Sequence, residues 1–450
     1  MRRRTLTGLT TAACALTLLA GLAPAASAGP ADHDRGPGHH DRSYRTVGYF
    51  TQWGVYGRDF QVKDLDTSGT AAKLTHINYA FGNVSPEGRC FTGNVPGEAD
   101  AWADYARPLD AAGSVDGVAD TDTQRLAGNF NQLRELKAAH PGLKVMISLG
   151  GWSWSTHFSD AARTAESRKA LVSSCIDLYI KGNLPVDGAR GGDGAAAGLF
   201  DGIDLDWEWP GSAGDTDTVY RPEDKRNFTA LVHEFRTQLD AYAKSSRKGK
   251  PKHYELSAFV PTAPAKIDAG FDVPRIMRDF DFVNLQGYDF HVSGEATTAQ
   301  QSALYARGDF SVDQTVRDWI RRGAPARKLV MGMPFYGQGW TGVTGGGDGL
   351  GQPAAAPAPA TWAAGYEDYK ALKKLADSGA YKVHRDTRNG HAWLFDGTTL
   401  WTYDDPQVLR AKTSYVRERG LGGAMFWSLD GDTDDGELMT AVDRGLRGRR

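Results

Sequence analysis

Eight short apolar segments that alternate with longer helical segments constrain the fold of this chain most strongly. In the helical stretch 226–242, for example, Phe228, Leu231, Phe235 and Leu239 recur at spacings of three and four residues. Strands that alternate with helices pair in parallel, and eight such units predict an α/β protein with a closed (β/α)8 (TIM) barrel. The predicted strands are 46–50, 74–81, 144–151, 198–208, 254–261, 281–289, 328–335 and 422–430.

The connection between the seventh and eighth predicted strands is unusually long. It opens with a Gly/Ala/Pro-rich stretch at 342–360 and continues with one helix-like and three strand-like segments. We therefore predict a small α+β insertion at 341–405 within one barrel domain at 44–440.

The N-terminus has the pattern of a secretory signal peptide. Three arginines at 2–4 precede a short apolar run, and Ala-Ser-Ala at 26–28 fits a cleavage site. We predict that 1–28 form a signal peptide, that 29–43 form a flexible leader and that the mature protein is extracellular. The apolar run is too short and too rich in threonine for a membrane span, and we expect no membrane partner.

The charge balance also limits the choice of partner. The formal net charge is −3, and loss of the three N-terminal arginines would leave −6. A mildly acidic, well-mixed surface argues against nucleic acid as a partner. No Cys or His spacing suggests a structural metal site, so we expect no metal or other cofactor, and we expect a monomer.

Cleavage of the signal peptide would remove Cys14 and leave two cysteines, Cys90 and Cys175. An even number in an oxidising compartment is compatible with a disulfide, and two unpaired thiols are the alternative.

The stretch "DGIDLDWEWPG" places four acids, Asp201, Asp204, Asp206 and Glu208, in the fourth predicted strand. Asp204, Asp206 and Glu208 alternate with apolar residues, so all three acids share one face, at intervals of about 6–7 Å. In a parallel barrel the active site is built at the carboxyl ends of the strands, where Glu208 lies. A buried acid near other carboxylates has its neutral form favoured, which suits a general acid at neutral pH.

Three other interpretations of these acids are weaker. A calcium site would need a loop glycine that the "DLDWE" spacing lacks. Ion pairs would need an inward-facing Arg or Lys on a neighbouring strand, and the sequence does not clearly place one there. Full solvation disagrees with the interior position that Ile203, Leu205 and Trp207 indicate. The pattern therefore favours catalysis.

The motifs resemble those of family 18 glycoside hydrolases, the chitinases and their relatives. "DGIDLDWEWP" matches the DxxDxDxE signature of that family, and "SLGGWSWS", "YDFH" and "GGAMFWSLDGD" resemble its motifs on the third, sixth and eighth strands. The resemblance covers roughly residues 46 to 435, and the insertion is similar to that of the bacterial subfamily with deep substrate clefts.

The resemblance implies substrate-assisted, retaining hydrolysis of chitin or chito-oligosaccharides. Glu208 is then the general acid and base, while Asp206 orients the substrate acetamide and stabilises the positive charge that develops on it. Asp204 shares the proton or charge of Asp206. Tyr288 donates its hydroxyl to the acetamide oxygen, and Asp289 contacts the distorted sugar.

Further positions match supporting groups of the family. Tyr49 and Ser148 correspond to positions that support the buried aspartate, and Trp427 corresponds to the floor beneath the reacting sugar. Gln286 departs from the family pattern, which has methionine there, so we expect altered contacts with the sugar or a carboxylate rather than lost activity.

Aromatic residues near predicted strand ends are candidates for stacking on sugars, and we expect about half of them to do so. Trp427 and Trp152 are the strongest candidates, whereas Trp207 should face the helices. The aromatic candidates are Trp53, Trp152, Trp154, Trp209, Tyr336, Trp340 and Trp427. The predicted substrate-binding set as a whole is Tyr49, Phe81, Trp152, Trp209, Gln286, Asp289, Tyr336 and Trp427.

Two other functions share parts of this pattern. An endo-β-N-acetylglucosaminidase acting on N-glycans has the same signature, although the insertion and the tryptophans favour linear chitin. A non-catalytic chitin-binding lectin typically lacks the acid at position 208, which this chain retains.

Overall fold

The eight barrel strands are β1 (Arg45–Thr51), β2 (His76–Val84), β3 (Lys144–Gly150), β4 (Gly202–Asp206), β5 (Glu255–Val260), β6 (Val283–Leu285), β7 (Leu329–Pro334) and β8 (Gly423–Trp427). They belong to a computed structural model that describes residues 44–245 and 252–448. Each strand lies parallel to both of its neighbours, and β1 pairs with β2 and β8, which closes the ring. The predicted (β/α)8 barrel is confirmed. The predicted signal peptide and leader lie outside the described residues.

The fourth and sixth strands are shorter than predicted. The structure has strand at Gly202–Asp206 and Val283–Leu285, where the sequence predicted 198–208 and 281–289. The chain leaves extended pairing at both ends because turns flank these strands, and Asp289 adopts a left-handed φ of 55°. As a result, Glu208, Tyr288 and Asp289 lie on the loops just beyond the barrel.

Helices follow the strands and pack on the outside of the barrel. In the helix over Asp224–Ser245, the predicted stripe of Phe228, Leu231, Phe235 and Leu239 is fully buried. Among the described residues, no helix combines the length and the apolar composition needed to cross a bilayer. The helices are α1 (Val62–Thr67), α2 (Gly128–Ala139), α3 (Phe158–Ala161), α4 (Ala165–Cys175), α5 (Asp224–Ser245), α6 (Pro264–Gly270), α7 (Val273–Asp279), α8 (Val312–Arg321), α9 (Tyr369–Asp377), α10 (Pro406–Glu418) and α11 (Glu437–Leu446).

The segment between β7 and β8 forms a second, largely antiparallel sheet with α9. It begins at Tyr336, directly after β7 and ahead of the predicted boundary at 341, because Tyr336–Thr341 already pairs with Thr399–Tyr403. This insertion has a small apolar core of its own, which includes Trp340. Its strands are Tyr336–Thr341, Ala356–Pro357, Tyr366–Asp368, Lys382–Asp386, His391–Phe395 and Thr399–Tyr403.

Short strands decorate two other connections. A disulfide joins Cys90, in the strand that pairs with the end of β2, to Cys175 at the end of α4. The bond closes a loop with a sequence separation of 85 residues. It therefore ties the segment after β2 to the helical layer outside β3. The short strands are Cys90–Phe91, Asn94–Val95, Ala99–Asp100, Leu184–Asp187 and Arg190–Gly192.

Removal of this disulfide should destabilise the fold. Cross-linking a long loop restricts the unfolded chain, so the double variant C90S/C175S should lose about 2–4 kcal/mol of unfolding free energy. Denaturant titration would measure this loss, and the wild type with added reductant serves as the matched comparison. Equal unfolding free energies for the variant and the oxidised wild type would contradict the prediction.

Candidate active site

The acidic face of β4 points into the barrel, and its apolar face points outward. Asp204 and Asp206 belong to the strand, and Glu208 lies just beyond its carboxyl end. On the opposite face the Trp207 ring stacks on Phe158, with 5.5 Å between ring centroids. Trp207 therefore faces the helices, as the alternation predicts, and the three acids face the barrel axis.

Asp204 lies at the bottom of the site and accepts hydrogen bonds from four strands. The Tyr49 hydroxyl and the Ser148 hydroxyl each donate to Oδ2 at 2.8 Å. Ser257 donates to Oδ1 at 2.5 Å, and the Asn284 amide donates to the same oxygen at 3.4 Å. Burial raises the pKa of Asp204, and the hydrogen bonds act in the opposite direction.

Asp206 lies above Asp204 and is much less well satisfied. It is almost fully buried, and its Oδ1 has no hydrogen-bond partner among the described residues. Burial raises its pKa well above the usual range, and the neighbouring charges of Glu208 and Asp204 raise it further. Asp206 therefore favours its neutral form when no ligand is bound.

Glu208 lies at the mouth of the barrel with its backbone held in place. Its N–H donates to the Ser155 hydroxyl at 2.8 Å. Burial raises the pKa of Glu208 to about 8, the hydrogen bond with Asp206 and the charge of Lys266 lower it, and the charge of Asp289 raises it. This carboxyl is therefore protonated at neutral pH.

The acids open into a cavity of about 850 Å³ with mostly aromatic walls. A cavity of this size and lining suits a ligand of several sugar rings, whose apolar faces stack on aromatic side chains. Of the predicted residues, the walls include Tyr49, Trp53, Phe81, Trp152, Trp154, Asp206, Glu208, Trp209, Gln286, Tyr288, Asp289 and Trp427. The other lining residues are Gly97, Gly150, Ser153, Phe259, Lys266 and Val292.

A cluster of aromatic rings forms one side of the cavity. The ring of Trp427 stacks on Phe81, with 5.7 Å between centroids, and lies 5.3 Å from Tyr49 and 6.5 Å from Trp53. On another part of the wall, Trp152 is 49 % exposed. A large apolar ring that is half open to solvent at a cavity wall is well placed to stack on a ligand.

Two predicted aromatic candidates lie elsewhere. Trp340 is fully buried in the core of the insertion and donates its Nε1–H to the Glu295 carbonyl. Tyr336 is also buried and does not line the cavity; its hydroxyl donates to Asp289 Oδ1 at 2.6 Å. Tyr336 is thus placed to support Asp289 rather than to contact a ligand. Both residues belong to the first strand of the insertion, whose start the sequence analysis placed too late.

Asp289 is held by that same insertion strand. Besides Tyr336, the Gln338 amide donates to its Oδ1 at 2.9 Å. Burial raises the pKa of Asp289, and these two hydrogen bonds lower it. The insertion therefore fixes the orientation of an acid on the loop after β6.

Tyr288 and Gln286 complete the wall between Asp206 and Asp289. The Tyr288 ring lies parallel to Phe259, and its hydroxyl lies 3.9 Å from Met425 Sδ, a weak acceptor. This hydroxyl is therefore available to a stronger acceptor. Gln286 accepts a long backbone hydrogen bond from Thr262 at 3.4 Å, so its amide also faces the cavity largely uncommitted.

Several residues of the site were not predicted from the sequence, among them Ser257 and Asn284, which donate to Asp204. Phe259 on β5 and Lys266 on α6 line the cavity, and Gln338 supports Asp289. Phe259 could have been predicted, because it is an aromatic residue near the end of a predicted barrel strand. Lys266 and Gln338 come from a helix and an insertion strand, and their approach to the acids depends on tertiary packing.

The site is equipped for proton transfer to a ligand with apolar faces and polar edges. A protonated carboxyl, a second acid with an unsatisfied oxygen and a free phenol converge on one aromatic cavity. Within 44–245 and 252–448, no cluster of three His, Cys, Asp or Glu side chains could hold a metal ion.

The fold and this acidic constellation define a barrel glycosidase, and comparison with known proteins identifies the family. Residues 45–432 match the model of glycosyl hydrolases family 18. The chain belongs to that family.

Individual relatives agree with this assignment. Chitinase 63 of Streptomyces plicatus is 39 % identical over 412 residues, which is 89 % of this chain and 60 % of the relative. Chitinase C of Streptomyces lividans is 39 % identical over 402 residues, which is 87 % of this chain and 58 % of the relative. The chain thus spans about 60 % of the length of these curated relatives.

A solved structure is similar over nearly its whole length. The catalytic domain of the psychrophilic chitinase B from Arthrobacter TAD20 superposes with a TM-score of 0.85 and 48 % identity. The match covers 90 % of this chain and 95 % of that domain.

Proposed function

We propose that this chain is a secreted chitinase that hydrolyses β-1,4 linkages between N-acetylglucosamine units by substrate-assisted, retaining catalysis. The observation that carries the proposal is the convergence of Asp206, Glu208 and Tyr288 on one aromatic cavity in a family 18 barrel. The names of the relatives, which are chitinases, support the choice of substrate.

Glu208 acts first as the general acid. It gives its proton to the glycosidic oxygen as the bond to the anomeric carbon breaks, so the leaving sugar departs as a neutral alcohol. Burial keeps this proton on the carboxyl at neutral pH. The resulting carboxylate then acts as the base that removes a proton from the incoming water.

The nucleophile is the carbonyl oxygen of the substrate's own acetamide, which attacks the anomeric carbon and forms an oxazolinium ion. The unsatisfied Oδ1 of Asp206 accepts the acetamide N–H and stabilises the positive charge that develops there. Asp204, which is held by four donors, can exchange proton or charge with Asp206 beneath the sugar. Water then opens the ring with retention of configuration.

The remaining wall residues orient the sugar. The Tyr288 hydroxyl, whose hydrogen-bonding partner in the described part of the chain is a sulfur atom, donates to the acetamide oxygen. Trp427 offers an apolar surface beneath the ring, and Asp289 contacts a sugar hydroxyl. Gln286 supplies an amide where the common family pattern has methionine.

An endo-β-N-acetylglucosaminidase that cleaves N-glycans is the second candidate, because it would use the same acids. The exposed aromatic wall with Trp53 at 42 % and Trp152 at 49 % exposure favours a linear chain of identical sugars. A non-catalytic lectin is disfavoured by the retained Glu208.

We further propose export through the predicted signal peptide, and action as a monomer without a cofactor, membrane or nucleic acid.

Replacement of Glu208 by glutamine should abolish turnover of chito-oligosaccharides. The amide retains the shape and the hydrogen bonding of the carboxyl but cannot donate its proton, so we expect kcat to fall by about a factor of a thousand or more, with binding retained. The exposed Glu166 on α4 provides the matched control E166Q, which should leave the rate unchanged. Full turnover by E208Q would remove Glu208 from the acid role.

The rate should decline at alkaline pH with a midpoint near 8. The general acid must be protonated, its raised pKa is about 8, and the active fraction therefore falls as the pH rises through that value. A pH profile of kcat/KM with a soluble chitin oligosaccharide measures this limb. A limb near the usual pKa of a glutamic acid would contradict the assignment.

Chitin hexamer should be the substrate, and an N-glycoprotein should not be. Product analysis of both, side by side under the same conditions, separates the two enzymatic candidates. We expect shorter chito-oligosaccharides from the hexamer and no released glycan. Release of the N-glycan with an intact hexamer would establish the second candidate instead.

A further inference from the structure

Lys266 is the one basic side chain among the described residues that line the cavity. The same walls carry three carboxyl groups, those of Asp206, Glu208 and Asp289. A cation in such surroundings is electrostatically important, because aromatic walls screen its charge poorly. The charge of Lys266 is therefore expected to affect the three carboxyl groups of the cavity.

The Lys266 ammonium packs on an aromatic ring and has no polar partner among the described residues. Its Nζ makes no hydrogen bond or ion pair with any described residue, and it lies 5.2 Å from the centroid of the Trp209 ring. Other lysines behave differently: Lys225 donates to the Asp268 carbonyl, and Lys328 donates to the Met277 carbonyl. A lysine held over an aromatic face is stabilised in its charged form by the electrons of the ring.

Trp209 positions the Lys266 ammonium close to Glu208. The ring is buried, it follows Glu208 directly in the chain and it packs on Phe259 at 5.6 Å. Lys266 projects from α6, which is anchored by the fully buried Ile267. The ammonium is therefore held on the same side of the cavity as Glu208 by two rigid elements.

We propose that Lys266 is a positioning residue that holds a positive charge against Glu208 and thereby sets the upper pH limit of the reaction. The inference rests on the proposed function, in which Glu208 is the general acid. Lys266 acts through Glu208 and not on the reacting atoms.

The groups that face Glu208 explain why one cation has a distinct effect. Asp206 comes from β4, Tyr288 and Asp289 come from the loop after β6, and Lys266 comes from α6. Burial and the charge of Asp289 oppose ionisation of Glu208, whereas the hydrogen bond with Asp206 and the charge of Lys266 favour it. The phenol of Tyr288 is neutral, since burial raises its pKa well above the usual range.

The interaction between Lys266 and Glu208 also affects the pKa of Lys266. Burial lowers the pKa of this lysine, and the charge of Glu208 raises it. The ammonium therefore makes Glu208 a stronger acid than the apolar cavity alone would allow, which favours proton transfer to the glycosidic oxygen.

The test is the pH profile of kcat/KM on chitin hexamer for the full-length protein and three variants. In K266M the loss of the positive charge should raise the pKa of Glu208 and move the alkaline limb upward by about one pH unit. K266R retains the charge and should keep the wild-type limb. K225M, on the neighbouring helix outside the cavity, is the matched control and should also keep it.

A merely structural or sugar-binding role gives a different result. Loss of a packing or ligand contact would lower kcat/KM at every pH and leave the alkaline limb in place, and that outcome would overturn the proposal. Equal upward shifts in K266M and K266R would also overturn it, because the charge would then not be the cause.

A titration separates this inference from the proposed function. Carboxyl NMR of ¹³C-labelled glutamate follows Glu208 without substrate, with E208Q used to assign the signal. A higher midpoint of Glu208 titration in K266M than in wild type supports the inference, whether or not the hexamer is cleaved. An uncleaved hexamer would reject only the proposed function. An unchanged midpoint rejects the role of Lys266, whatever the enzyme hydrolyses.

Discussion

The structure depends on a buried carboxyl group at the centre of the barrel. Asp204 accepts hydrogen bonds from Tyr49, Ser148, Ser257 and Asn284, which lie on four different strands. An isolated charge in that position would be strongly unfavourable, and each donor offsets part of the desolvation. The same bonds also link strands that are not neighbours in the ring. Satisfying one acid therefore fixes the relative positions of β1, β3, β5 and β6 beneath the site.

Hydrogen bonding is distributed unevenly among the three acids. Asp204 is saturated, whereas Asp206 retains an unpaired buried oxygen, and Glu208 relies on burial to keep its proton. An unsatisfied buried acceptor is destabilising in the free protein by about 1–3 kcal/mol. That penalty is relieved when a ligand donates a hydrogen bond, so in the proposed mechanism the acid that the protein satisfies least is the one that accepts the substrate amide. Binding energy at the reacting end of the sugar would then relieve the local instability at Asp206.

The sequence determined the barrel and the acidic face because both depend on short-range periodicity. Alternation along β4 places Asp204, Asp206 and Glu208 on one face in any packed parallel strand, whatever the surroundings. Lys266 and Gln338 could not be inferred in this way, since each approaches the acids through a helix or an insertion strand. The roles of aromatic residues were likewise uncertain, because a tryptophan near a strand end satisfies the same pattern whether it lines a cavity or fills a core. Trp152, in the cavity wall, and Trp340, in the core of the insertion, illustrate the two outcomes.

The insertion contacts an acid of the cavity directly, although no insertion residue is among the described residues that line the cavity. Its first strand supplies both groups that hold Asp289, the Tyr336 hydroxyl and the Gln338 amide. At its other side Arg58, from the segment after β1, pairs with Asp368 of the insertion. The orientation of an acid in the cavity therefore depends on how the insertion is seated on the barrel. Because the hydrogen bonds to Asp289 favour its ionised form while burial opposes it, a displaced insertion would change the charge that Glu208 faces as well as the shape of the cleft. The seating of the insertion and the charge beside Glu208 are thus physically coupled through Asp289.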